Sequence, residues 1–98
     1  MIQIINQLFE IEQKLRTRNE TFADRNFTRL KHEFELMGYE VINPINRKYQ
    51  LTDTDLEASI LGDATIGLKV TRVLKPVIYL KNENDEYSLL QKGIVIVE

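Results

Sequence analysis

His32 is the only imidazole in the chain and there is no cysteine, so the side chains that most often bind transition metals or act as nucleophiles are almost missing. A lone histidine has no second imidazole with which to complete a metal site or a relay. On a helical reading His32 falls away from Phe27, Leu30 and Phe34, which is the position of a solvated side chain. Asp53, Asp55 and Glu57 repeat at steps of two, as the first ligands of a calcium loop do. A twelve-residue loop from Asp53 requires glycine sixth and glutamate twelfth, and Ala58 and Ala64 stand there instead. These carboxylates therefore read as a solvated turn. No phosphate-binding glycine loop, dinucleotide fingerprint or G-x-S-x-G occurs. The expectation is a protein that is not an enzyme, with no catalytic residue, metal or cofactor.

Binding is the chemistry the side chains favour. Arg72, Lys75 and Tyr79 lie in or beside two strand-like segments, where alternation sends one set of side chains toward a partner while Val70, Val73 and Ile78 supply core. Arginine and tyrosine are enriched at binding hot spots because each buries a large surface around a polar group. These three residues are the expected partner-binding set.

The elements that must position them follow from composition and periodicity. A chain of 98 residues with 43% apolar and 29% charged content is an ordinary single domain with a thin core, for which oligomerisation is a route to burial. Thirteen basic and fifteen acidic residues give a net charge of -2, too balanced for a phosphate-backbone footprint, so no nucleic acid is expected as partner. No apolar run is long enough to cross a membrane, and Met1-Ile2-Gln3-Ile4-Ile5 lacks the basic start of a signal peptide. A cytoplasmic location is the expectation.

Ile4, Leu8, Ile11 and Leu15 lay an apolar stripe along one helix. A second stripe, Ala23, Phe27, Leu30, Phe34 and Met37, is one residue out of phase with it. The slip predicts two helices, about 2–18 and 22–37, with Thr21 and Asp24 as a weak capping pattern; one helix with a stutter is the alternative. Gly38 closes the second helix, since a glycine just past the last turn adopts a left-handed backbone without a Cβ clash. Strand-like segments follow at 39–43, 56–61, 66–74, 77–81, 87–91 and 94–97, with a polar hairpin loop at 82–86. Helices followed by short strands predict an α+β protein with a segregated antiparallel sheet, divided into a helical dimerisation segment, 1–38, and a β-domain, 39–98. Ile4, Leu8, Ile11, Leu15, Phe27, Leu30 and Phe34 are the expected dimerisation residues.

In this order of elements the chain resembles the GrpE-type nucleotide exchange factors. Phe34-Glu35-Leu36-Met37-Gly38 is similar to the family's Leu-Glu-x-x-Gly, and Gly38-Tyr39-Glu40-Val41-Ile42-Asn43-Pro44 to its G-x-E-x-I-D/N-P. Tyr49 stands where the family has the aromatic of its P-F-D-P segment, and Leu56-Glu57-Ala58 resembles its H-E-A with leucine for histidine. Gly67–Leu74 is similar to G-x-x-V-x-x-V-L, and Leu89–Val97 to the closing strand. Departures are Val77-Ile78 for a glycine-tyrosine, Gln91-Lys92 for an arginine-proline, a longer hairpin at 82–86, and no counterpart of the family's long N-terminal helix. What that helix does in the family is not carried over. The resemblance implies a homodimer joined by a four-helix bundle, with a β-domain that binds the ATPase domain of a DnaK-type chaperone and favours its open, nucleotide-free form. Such action needs only tighter binding to the open state, with no catalytic residue. The other expectation is a stand-alone dimeric interaction module with this fold and no exchange activity.

Overall fold

The computed structural model describes all residues from Met1 to Glu98. Two helices come first, α1 (Ile2–Thr17) and α2 (Asp24–Leu36). Six strands follow: β1 (Tyr39–Ile42), β2 (Leu56–Ile60), β3 (Val70–Lys75), β4 (Val77–Lys81), β5 (Tyr87–Gln91) and β6 (Gly93–Val97). The phase slip is thus a true break between helices. Asn19, at φ +56, turns the chain out of α1, with Asn19 N–H donating to Arg16 C=O and Glu20 N–H to Leu15 C=O, so two end carbonyls are satisfied. Gly38 does the same for α2 at φ +92. The expected side-chain cap at Thr21 does not form: α2 starts without one, and only the backbone carbonyl of Thr21 engages Asp24.

The strands make two three-stranded sheets, ordered β1-β4-β5 and β2-β6-β3. Single residues carry the chain between them, buried Pro76 from β3 to β4 and Lys92 from β5 to β6. Proline has no N–H to extend a ladder, so the pairing changes sheet there. Gly93 starts β6 because a Cβ at this point would lie 2.9 Å from both Leu56 and Val77 side chains. One expectation is corrected. β2 and β6 run parallel, not antiparallel, which is possible because 32 residues separate them and no tight turn constrains their direction. β3 also begins four residues later than expected. Gly67, at φ +71, breaks the extended run, Ile66 is exposed, and the backbone of Leu68 and Val70 bonds to Asn46, Arg47 and Tyr49.

Register fixes the layers. Val41 opposes Ile78 and Tyr39 opposes Leu80, whereas Ile42 opposes Val77 and Glu40 opposes Tyr79. The first set faces the helices, with Ile78 packed against Ile5 and Phe34. The second faces the other sheet, where Val77 joins Leu56, Leu68, Val70, Val95 and Val97. The first sheet is therefore the middle layer of three. Its central strand β4 is apolar on both sides, as a strand covered on both faces must be, whereas β6 alternates buried and half-buried residues.

Candidate functional site

Two stripes on α1 meet different fates. Ile5, Phe9 and Glu12 are buried against α2 and the middle sheet. Ile4 and Ile11 remain 55% and 46% exposed, with half-buried Leu8 and Leu15 beside them. Phe27 and Phe34 of α2, expected at an interface between copies, are instead buried within the chain, and Leu30 is half-buried against Ile5 and Phe34. Apolar surface expected at the bundle interface is covered in part within the chain, by α1 and the middle sheet. Of the outer stripe, Ile4 and Ile11 are left open and Leu15 half open, while Leu8 packs partly on the inner core.

Glu12 holds the seam between the helices. Its carboxylate, almost wholly buried, lies 3.1 Å from Lys31 Nζ and 3.4 Å from Arg16 Nη2. A buried carboxylate is tolerated only with such partners, because its desolvation is otherwise uncompensated. A second polar tie joins helix to sheet. Asn6 donates to Gln91 at 2.8 Å, Gln91 donates back at 2.9 Å, and the same Gln91 amide nitrogen reaches the Pro76 carbonyl at 2.8 Å. Gln91 was noted in the sequence only as a departure from the family pattern. Its pairing with a residue 85 positions earlier has no sequence signal.

The structure separates the three expected partner-binding residues. Arg72 is exposed and lines a groove of about 470 Å³ between α1 and β3, with Glu10, Gln13, Lys14, Thr17 and Thr71. Lys75 is exposed at the end of β3. Tyr79 is half-buried and faces the inter-sheet core, so it does not share Arg72's surface. Gln13 is the residue that sequence reasoning missed here: its amide nitrogen is buried on the groove wall and donates to nothing in the chain. A buried donor without an acceptor is costly.

The acidic turn has a structural role. Arg47 clamps Asp55 through two bonds of 2.8 and 2.9 Å, with Asp53 at 3.8 Å. The guanidinium hydrogen bond holds the Asp55 carboxyl below its ordinary range, against a smaller opposing effect of burial, and Asp55 in turn raises Arg47. His32 is exposed on α2. No helix is long and apolar enough to cross a membrane. Comparison with protein-family models, with curated proteins and with solved structures gives no match for this chain.

Proposed function

We propose that this chain is a GrpE-like co-chaperone that works as a homodimer, binding the ATPase domain of a DnaK-type chaperone and promoting nucleotide exchange. The observation that supports the reading is that Ile4 and Ile11 stay exposed, beside half-buried Leu15, on a helix whose other apolar face is already covered. Two copies meeting through this side bring four helices together, two from each chain. The motif order along residues 34–97 supports the resemblance, and the helices-first α+β order agrees with it. The exchange step asks for differential affinity alone, since a partner shifts a conformational equilibrium only by binding one state more tightly. Stopped-flow release of labelled ADP from a DnaK-type chaperone tests the reading. Acceleration that saturates with protein concentration is the expected result, and an unchanged rate at saturating protein removes it.

A specific observation favours the second reading, a dimeric interaction module without exchange activity. Arg72 and Tyr79 lie on different surfaces, so the outward triad expected of the β-domain is not assembled. On this reading the groove holding Arg72 and Gln13 receives a polar segment of another partner. A dimer that neither binds the chaperone nor changes ADP release, and that loses binding to its own partner on Arg72→Ala, would select it.

A further inference from the structure

We propose that the groove between α1 and β3 binds an extended polypeptide segment bearing a carboxylate, which adds as a short strand to the free edge of β3. This rests on the interaction-module reading above and names the occupant of its groove. The chain already uses the start of this edge in the same way, since residues 46–49 lie antiparallel beside it. Asn46 N–H donates to Val70 C=O at 2.9 Å, Val70 N–H to Arg47 C=O at 2.9 Å, and Tyr49 N–H to Leu68 C=O at 2.8 Å, with a bridge between Lys48 and Lys69. The added segment then stops. Pro44 is buried and has no N–H with which to continue a ladder, and Ile45 lines the groove. Past Val70 the backbone of β3 bonds to β6 alone, so the groups that residues 71–74 turn away from β6 have no partner within the chain. An edge strand with unpaired N–H and C=O groups is a template for another extended chain.

The walls of the groove set the size and charge of the occupant. Phe9, Gln13 and Thr17 line it along about 12 Å of helix, a length that an extended chain covers with about four residues. Thr71, Arg72, Val73 and Leu74 line it from β3, and Ile45, on the edge side of that strand, places the open edge on the groove. β3 is bulged between Val70 and Arg72 and between Val73 and Lys75. Bulges bend an edge and re-aim its side chains, so the paired stretch is short and consecutive residues reach the groove together. Of the three charged side chains on the lining, Lys14 is tied to Glu10 at 3.3 Å, which leaves Arg72 without a partner in the chain. A carboxylate on the occupant complements it, because a guanidinium bonds carboxylates through paired N–H groups. Lipid headgroups and nucleic acid also carry anionic oxygens, but neither offers the row of N–H and C=O groups that the edge lacks.

Short random peptides displayed on phage and selected against the full chain test this, with one enriched peptide then synthesised. Enriched peptides are expected to share an aspartate or glutamate. Binding of the synthetic peptide should weaken about tenfold on Arg72→Ala, and also on Thr17→Trp, which fills the groove from the α1 side; both positions are exposed, and melting checks that each variant folds. Arg72→Glu should bind the peptide whose acid is replaced by lysine better than the original peptide. Methylating the peptide's backbone nitrogens one at a time separates strand addition from side-chain docking: about tenfold losses are expected where an N–H bonds to β3, and little change elsewhere. The amides of residues 71–74 should exchange more slowly with the peptide bound. No enrichment overturns the proposal and leaves the interaction-module reading to its own test. Peptides that bind both groove variants like the parent overturn it as well, since they sit elsewhere. Peptides lost on Arg72→Ala but indifferent to backbone methylation overturn strand addition while keeping the groove as a binding site.

Discussion

α1 presents two apolar stripes roughly 100° apart around one helix, and they differ in what covers them. The inner one, Ile5, Phe9 and Glu12, is closed by α2 and the middle sheet. The outer one, Ile4, Leu8, Ile11 and Leu15, has regular spacing yet keeps Ile4 and Ile11 about half exposed. The cleaner sequence pattern therefore belongs to the stripe the chain leaves open. The inner stripe escapes a periodicity search because a glutamate occupies its third position, and only Lys31 and Arg16 make a carboxylate tolerable there. An apolar arc wider than one neighbour can cover leaves room for a second neighbour, which the proposed dimer would supply.

The comparison is broken most severely by truncating the inner stripe. Ile5, at 2% exposure, touches Phe34 and Ile78, so Ile5→Ala is expected to lower unfolding free energy by about 2–4 kcal/mol in chemical denaturation. Ile11→Ala in the outer stripe should change the unfolding of the isolated chain by less than about 0.5 kcal/mol while weakening self-association. Similar losses at both sites would erase the distinction between the stripes.

Glu12 sharpens it chemically. Glu12→Ala leaves the Lys31 and Arg16 ends in water and opens a gap in the seam, with an expected loss of about 1–3 kcal/mol. Glu12→Leu should be close to neutral, because an apolar side chain of similar reach suits the same surroundings. Thermal melts of the two variants side by side check this, and a Leu variant as unstable as the Ala variant would show that the ion pairs themselves hold the helices together.

Away from the helices the expected effects are smaller. Asp55→Asn removes the Arg47 clamp and should lower stability by about 1 kcal/mol at neutral pH. Because Asp55 has its folded pKa depressed, the unfolded chain binds more protons between the two values. The contribution is complete above the ordinary aspartate range and is lost as pH falls through the folded value, so parent and Asn variant should converge in acid. A gap in melting temperature that persisted there would assign the effect to packing. Smallest of all in stability is Arg72→Ala, exposed on the groove, which should leave the melt unchanged and weaken partner binding by about 1–3 kcal/mol. Tyr79→Ala, by contrast, now belongs with stability, since the ring packs on the inter-sheet core.

Much of the fold is written in local chemistry. The helix break, Gly38 as the end of α2, the bounds of β4 and β5 and the hairpin at 82–86 each follow from a few adjacent residues. Sheet membership is different. Nothing near Pro76 or Lys92 states that the chain changes sheet there, and the parallel β2–β6 pair depends on residues far apart in sequence. The expected binding residues do not share one surface for the same reason: Arg72 and Tyr79 are seven positions apart but lie on strands of different sheets. Alternation assigns a face within a strand and leaves open which layer that face meets. Gln13 was invisible because an unpaired amide is a property of its surroundings.

The central claim is that the outer stripe of α1 is an interface between copies, and sedimentation equilibrium of the parent beside the Ile4→Asp, Ile11→Asp variant tests it most directly. The parent should sediment at twice the chain mass of 11.5 kDa. The variant should sediment at the chain mass with an unchanged circular dichroism spectrum, since both positions are solvent-facing within one chain. A monomeric parent, or a variant that stays dimeric and folded, would contradict the account.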